Sequence, residues 1–166
     1  MALVTKKAVN VPWTRNSNSP QDQAFLSLFR NAKSNINIVS PNLNAPPLMD
    51  AMVEALKRGV NINILLSKNY QDFISKMPLA GGTNLKNVKN ILKKVAKFAK
   101  KNPKKKVGVF NIRWFIDRKG RVSKESGTDK LKLAKWTSHT KYMSVDNQIT
   151  VVGSANMDSQ SWYYSR

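Results

Sequence analysis

Residues 138 to 156 have the sequence SHTKYMSVDNQITVVGSAN and contain the single histidine of this 166-residue chain. Two apolar runs flank the turn-forming triplet DNQ, and they predict strands over residues 136 to 145 and 149 to 152. The segment therefore predicts a β-hairpin. Because side chains alternate along a strand with a period of two, we expect His139 and Lys141 on the same face of the first strand.

Small and polar residues follow the second strand of this hairpin, namely Gly153, Ser154 and Asn156. The ends of strands are where α/β sheets usually carry their chemistry. Phosphodiester cleavage needs a nucleophile for phosphorus, positive charge at the non-bridging oxygens and an acid for the leaving alkoxide. His139 can attack as the neutral imidazole, Lys141 can neutralise the oxygens, and the Ser154 and Asn156 side chains can donate hydrogen bonds to them.

One group is missing from this set. An imidazole that is bonded to phosphorus cannot also protonate the leaving group, so a second titratable side chain is required. The chain has no other histidine. The predicted site must therefore take its acid from another polypeptide segment.

Upstream of the hairpin, apolar runs alternate with segments of helical period, which is the pattern of α/β units. The crossovers are long enough to make the early strands parallel. The predicted fold class is α/β, a sandwich with a mixed central sheet flanked by helices. We predict strands over residues 36 to 39, 62 to 66 and 107 to 117, and helices that begin at Pro20, Pro47 and Asn84.

The third predicted helix, residues 84 to 101, belongs to a strongly basic region. The chain carries 29 Lys and Arg against 9 Asp and Glu, a net charge of +20, and ten of the lysines lie between residues 86 and 106. Such a charge predicts an anionic partner, either nucleic acid, anionic lipid or a phosphate substrate. The helix itself is either a solvated face or a surface that faces an anion or a membrane. Its predicted apolar stripe is Leu85, Val88, Leu92, Val95 and Ala99.

Composition also excludes several classes of protein. The chain has no cysteine, which removes disulfides and thiolate chemistry. No run approaches the roughly 18 apolar residues of a membrane span, and the first seven residues lack the apolar core of a signal peptide. The length fits one domain.

A sequence pattern connects the residues of the predicted site. His139, Lys141, Asp146, Gly153, Ser154 and Asn156 fit H-x-K-x(4)-D-x(6)-G-S-x-N, by which the chain resembles the phospholipase D superfamily. The segments SPNLNAPPLMDAMVEALKRGVNINILLS, GGTN and GSANMDSQSWYYS are similar to the C-terminal half of bacterial and fungal proteins with two such motifs. The resemblance covers residues 20 to 166, although residues 86 to 106 and 118 to 135 match only loosely.

The resemblance implies a mechanism and a role for each residue. In this family two α/β halves bring both motifs to one site, where one histidine forms a phosphohistidine and the other transfers protons, without a metal or other cofactor. His139 would be the nucleophile or its acid/base partner, and Lys141, Ser154 and Asn156 would hold the phosphate. Asp146 counts among the catalytic candidates, although we favour a structural role in which a hairpin aspartate binds local backbone amides.

Two further features past the motif have open roles. Ser161 matches a recurrent serine of the family that we interpret as structural. The aromatic residues Trp162, Tyr163 and Tyr164 either line a substrate cleft or pack against the sheet.

The chain also departs from the family. Its members continue past the position of Arg166 with a glutamate that binds the catalytic histidine and with another core strand. Residues 1 to 166 are therefore expected to form one phospholipase D-like catalytic half-domain, truncated at its C-terminus and inactive alone. The second motif would come from the same gene or from a homodimer.

Three functions follow as hypotheses. The first is hydrolysis or transphosphatidylation of phospholipid head groups. The second is a nuclease with one motif per chain that dimerises, which a basic chain would suit. The third is a non-catalytic basic module that docks on a membrane or on nucleic acid.

Overall fold

The computed structural model describes residues 19 to 70, 81 to 122 and 136 to 164. Within these ranges the chain forms three helices, five strands and a final π-helical turn. In chain order they are α1 (Pro20–Asn31), β1 (Asn35–Ser40), α2 (Pro46–Lys57), β2 (Asn61–Leu66), α3 (Asn84–Lys101), β3 (Phe110–Trp114), β4 (Tyr142–Val145), β5 (Ile149–Val152) and the turn Gln160–Tyr164.

The five strands form one mixed sheet in the order β3-β2-β1-β4-β5. The β1, β2 and β3 strands are parallel, whereas β4 runs antiparallel to β1 and β5 antiparallel to β4. This confirms the predicted α/β class with its mixed central sheet. It also places the end of β1 beside the start of β4 and the end of β5.

The helices begin and end where local chemistry dictates. The Ser19 hydroxyl caps α1 by accepting from the backbone N–H of Asp22 at 3.2 Å, and the Thr83 hydroxyl caps α3 in the same way. The α2 helix begins at Pro46, one residue before the predicted start, because a proline is well tolerated at the first helical position. Gly59, with φ of +93°, follows α2 and turns the chain toward β2.

The apolar side of the sheet carries the core. Ile36, Ile38, Ile62 and Ile64 alternate along the two central strands and are at most 2% exposed. They belong to one buried cluster with side chains of all three helices, such as Phe29, Met52, Leu56 and Ile91. Burial of this cluster holds the helices on the sheet.

The other side of the sheet is polar and carries an in-register row of side chains that we name the amide ladder: Asn111, Asn63, Asn37 and Ser144. The Asn111 amide donates to Asn63 at 2.8 Å, Asn63 donates to Asn37 at 2.8 Å, and Asn37 donates to the Ser144 hydroxyl at 3.2 Å. Four strands are therefore linked by side-chain hydrogen bonds as well as by the backbone.

The hairpin is confirmed, but its first strand is shorter than predicted. Residues 136 to 141 do not belong to β4, which begins only at Tyr142. Its partner β1 ends at Ser40, where Pro41 follows and supplies no backbone N–H. The turn contains Asp146 and Asn147 at φ of 52° and 57°. The predicted strand over residues 107 to 117 is likewise shorter, since β3 covers Phe110–Trp114.

The apolar stripe predicted for α3 is partly wrong. Its bounds are as predicted, yet Leu85 and Leu92 are both 44% exposed. The buried residues are Asn84, Asn87, Val88 and Ile91. The Asn84 side chain binds the backbone of Pro41, Leu43 and Ser67, and the Asn87 amide donates to the Leu43 carbonyl. These bonds satisfy two buried amides and rotate the helix away from the face that hydrophobicity alone predicts.

None of the helices in the described ranges is both long enough and apolar enough to cross a membrane.

Candidate active site

The candidate site lies at the edge of the sheet where β1 ends. His139 and Lys141 precede β4, and Gly153, Ser154 and Asn156 follow β5, so the topology brings both groups to this edge. The two basic residues lie outside the strand, so strand alternation is not what joins them. They nevertheless meet, as their side chains are in direct contact.

The contact is a hydrogen bond between a cation and an imidazole. Lys141 Nζ lies 2.8 Å from His139 Nδ1 and also donates to the backbone carbonyl of His139 at 2.6 Å. An ammonium group has donors only, so Nδ1 accepts the bond. The neutral ring therefore carries its proton on Nε2 in this arrangement.

Both groups have shifted proton affinities. The His139 side chain is exposed, yet partial desolvation of its ring, and then the charge of Lys141, lowers the pKa of His139, while the Asp158 carboxylate opposes the change. Burial also lowers the pKa of Lys141, again against the charge of Asp158. A histidine with a lowered pKa is neutral at pH 7, which is the form that a nucleophile or a general base requires.

The backbone next to His139 is fixed to the end of β2. The Ser67 hydroxyl donates to the Ser138 carbonyl at 3.1 Å and accepts from the Ser138 N–H at 3.0 Å. The Tyr70 ring, 2% exposed, lies 5.9 Å from the His139 ring between centroids, with a tilt of 34°. These contacts limit where the imidazole can point. Nothing in the spacing of Ser67 or Tyr70 in the sequence connects them to the histidine.

Asp158 is a further member of the site that the sequence analysis missed. Its carboxylate, 4% exposed, accepts from the Asn42 amide at 2.8 Å, the Asn156 amide at 3.1 Å and the Ser161 N–H at 2.5 Å. Burial, and then the same carboxylate, raises the pKa of Tyr70 to about 12. The buried negative charge of Asp158 therefore acts on both His139 and Lys141. The sequence contained one indication of this role: Asp158 is one of only nine acids in the chain and lies two positions after Asn156.

Lys141 and Ser154 also face a cavity of about 280 Å³. Among the described residues that line this cavity, Lys141 is the only charged one. Its apolar side chains come from α1, from β1, β4 and β5, and from the loop after β5: Phe25, Val39, Met143, Val151, Val152 and Met157. A cation and a hydroxyl thus adjoin a recess that is partly apolar. The Asn156 amide is instead turned toward Asp158.

Asp146 lies at the opposite end of β4 from this site. Its carboxylate accepts from the N–H groups of Lys33, Ser34 and Asn35 at 2.8 to 2.9 Å and from the Ser34 hydroxyl. Burial would raise the pKa of Asp146, but these bonds outweigh it and lower the pKa to about 2. The structure therefore does not bring Asp146 together with His139, and its contacts are those of a structural residue.

Residues past the motif also have defined places. The Ser161 hydroxyl accepts from the Asn156 N–H at 3.2 Å, which holds the loop after β5. Trp162 is 3% exposed in the core, and Tyr163 packs against it, so these two rings serve packing. The side chain of Tyr164 and most of residues 118 to 135, which match the family only loosely, lie outside the described residues. In the described part of the chain no three His, Cys, Asp or Glu side chains group as ligands for a metal ion.

Two solved structures share this fold, and a third is similar to it with a lower score. Phosphatidylserine synthase of Haemophilus influenzae Rd KW20 is 15% identical with a TM-score of 0.56, over 89% of this chain and 30% of that one. NucT from Helicobacter pylori is 11% identical with a TM-score of 0.51, over 98% and 81%. The phospholipase D family member Nuc from Salmonella typhimurium is 21% identical with a TM-score of 0.48, over 86% and 68%.

Sequence comparison defines the family. No curated protein sequence matches the chain significantly. The family described as cardiolipin synthase, PLD-like domain, matches residues 25 to 166, which is most of the chain. The chain therefore belongs to this family within the phospholipase D superfamily, whose members are phosphodiester hydrolases and transferases.

Proposed function

We propose that the chain is one half of a phosphodiesterase that hydrolyses or exchanges phospholipid head groups through a phosphohistidine at His139. The observation that carries this proposal is the contact of 2.8 Å between Lys141 and His139, beside a cavity that Lys141 shares with Ser154. A neutral imidazole, a cation and a hydroxyl are the groups that attack on phosphorus requires.

The proposed reaction begins when a phosphate oxygen draws the Lys141 ammonium away from Nδ1. The ring proton can then reside on Nδ1, which leaves the Nε2 lone pair to attack phosphorus. The P–Nε2 bond forms, the P–O bond to the head group breaks, and the leaving alkoxide takes a proton from an acid in the second half. That group next deprotonates water or an alcohol, which attacks phosphorus and releases His139.

The charge of the cavity lining favours a lipid substrate over a nucleic acid. Polar and apolar groups line the cavity in about equal measure, and Lys141 is the one charged residue among the described residues that line it. A volume of about 280 Å³ is at the lower limit for small-molecule sites, so it fits the region around the phosphate and not a whole phospholipid. A nuclease would instead need several cations along a groove that follows the backbone.

The half-domain assignment rests on a count of proton-handling groups. The chain has one histidine, whereas the reaction uses one group as nucleophile and another as acid. The buried Asp158 carboxylate binds Asn42, Asn156 and the Ser161 N–H, so it stabilises charge and does not take the place of the acid. The second motif comes from another segment of the same gene product or from a second copy.

A dimeric nuclease is the second candidate, and the net charge of +20 supports it. An assay of the complete protein on phospholipid vesicles and on plasmid DNA separates the two. We expect the complete protein to release head groups and His139→Ala and His139→Asn to abolish this activity. Thr140→Ala, at the neighbouring position, is the control and should retain it. Plasmid cleavage that depends on His139, without head-group release, would establish the nuclease instead.

The chain alone is proposed to be inactive. Its rate on bis(p-nitrophenyl) phosphate should be negligible beside that of a protein that also contains the second motif. Equal rates from both proteins that depend on His139 would show that the second motif is not needed.

A further inference from the structure

The α3 helix carries five exposed lysines on one side. Lys86, Lys89, Lys93, Lys97 and Lys100 are all exposed, and at ~100° per residue they fall within an arc of about 80°. We name this set the lysine surface. The helix contains no acidic residue to offset it. Five cations on one helical face form a concentrated positive field.

The acids of the neighbouring helix α2 are already paired with lysines outside the lysine surface. Asp50 and Glu54, the two acids of α2, form ion pairs with Lys94 at 2.8 Å and with Lys57 at 2.7 Å. The Asp50–Lys94 pair joins α2 to α3, and the Glu54–Lys57 pair lies within α2. Lys97 lines the groove between the two helices, whereas Lys86, Lys89, Lys93 and Lys100 are not among the residues that line it. The charge of these four lysines is therefore available to an external anion.

Two exposed leucines lie directly beside the lysine surface. Leu85 and Leu92 are each 44% exposed, and on the helical wheel they adjoin Lys89. Exposed leucines next to lysines are typical of helices that lie in a membrane interface, where the apolar groups enter the lipid and the lysine stems extend to the head groups. Contacts to nucleic-acid phosphates require the lysines alone.

The helix has a rigid connection to the candidate site. Asn84, its first residue, donates to the Ser67 carbonyl at 2.8 Å, and the Ser67 hydroxyl holds Ser138 beside His139. Material bound along α3 therefore lies at a fixed distance from the histidine. For an enzyme whose substrate is in a bilayer, this fixes the orientation of the site toward the lipid.

We propose that the lysine surface, together with Leu85 and Leu92, binds the surface of an anionic lipid bilayer. The interaction is electrostatic attraction plus shallow insertion of the two leucines. Membrane binding does not depend on turnover. The inactive variant His139→Ala should therefore still bind the bilayer.

The test is sedimentation of the full chain carrying His139→Ala with phosphatidylcholine vesicles, with and without phosphatidylglycerol. We expect binding only with phosphatidylglycerol. The variant Lys86→Gln, Lys89→Gln, Lys93→Gln, Lys97→Gln should lose at least ~30-fold in partition. A control with the same change of charge at exposed positions outside α3, Arg30→Gln, Lys33→Gln, Arg118→Gln, Lys119→Gln, should lose only a few fold.

The leucines distinguish a bilayer from nucleic acid. Leu85→Ser with Leu92→Ser should weaken vesicle binding several fold and leave binding to a DNA oligonucleotide unchanged. The proposal fails if the lysine variant binds vesicles as well as its control does, or if the leucine variant binds as well as the parent. It also fails if the lysine surface binds DNA and ignores vesicles. Catalytic results on head groups do not enter these outcomes.

Discussion

The Lys141 ammonium bonds to Nδ1 of His139 at 2.8 Å and to the backbone carbonyl of the same residue at 2.6 Å. The cation and the proposed nucleophile are therefore paired with one another before a phosphate arrives. The bond occupies the Nδ1 lone pair, so a substrate oxygen must compete for the ammonium. Phosphate binding and activation of the imidazole would then occur in the same step.

The pKa of His139 should lie below the ordinary histidine value of about 6.5, because partial desolvation and the charge of Lys141 disfavour the imidazolium. Lys141→Gln should raise this pKa, and Asp158→Asn should lower it further, since the carboxylate opposes the shift. As the chain has one histidine, its NMR titration needs no assignment. A pKa at or above the ordinary value in the parent protein would contradict the contact between Lys141 and His139.

Loss of Lys141 should reduce turnover by roughly 10² to 10³ in the complete protein. This loss is the one typically found when a single group that stabilises negative charge in the transition state is removed. Lys141→Ala tests this, and Thr140→Ala, at an exposed neighbouring position, is the control. Steady-state kinetics on a soluble phosphodiester measures the effect. A Lys141→Ala rate within threefold of the control would remove the residue from the mechanism.

Asp146 should stabilise the fold in a way that depends on pH. Its pKa is about 2 in the folded chain and about 3.9 when unfolded, so its contribution is complete above pH 4 and is lost as the pH falls toward 2. Asp146→Asn should lower the free energy of unfolding at pH 7 by about 1 to 2 kcal/mol, because the turn is partly exposed. Urea unfolding at several pH values measures this difference, which should shrink below pH 4.

Two glycines with different surroundings should respond differently to the same change. A Cβ at Gly108 would lie 1.9 Å from the Val60 carbonyl oxygen, whereas a Cβ at Gly153 would meet no atom within 4 Å. Gly108→Ala should therefore lower the melting temperature by several degrees, and Gly153→Ala should leave it unchanged. Thermal unfolding of both variants is the measurement. Equal melting temperatures would show that the backbone at Gly108 moves without cost.

The hairpin and its motif were predictable because their information is local. Asp146, the turn and the residues after β5 lie within one short segment, where spacing alone determines which end of a strand each residue occupies. Asp158, Tyr70 and Ser67 reach the site only because β2 ends, β4 begins and the loop after β5 starts at the same edge of the sheet. Periodicity in a single sequence does not contain that relation.

The orientation of α3 was missed for a different reason. A pattern of apolar residues assigns Leu85 and Leu92 to the core, yet Asn84 and Asn87 occupy the buried side. Their burial is stabilised by hydrogen bonds to backbone groups of the loop after β1, which are distant in sequence. A buried polar residue whose hydrogen bonds are all satisfied cannot be distinguished from a surface residue by its sequence alone.

The amide ladder has a consequence for how the strands find their alignment. A strand that slips by two residues keeps its isoleucines on the core side, so the apolar face cannot distinguish such a register from the native one. The ladder can: a two-residue slip of β3 would set Asn63 opposite Val109 or Arg113 in place of Asn111. At about 0.5 to 1.5 kcal/mol for each bond, the polar face selects among alignments that burial leaves equal in energy.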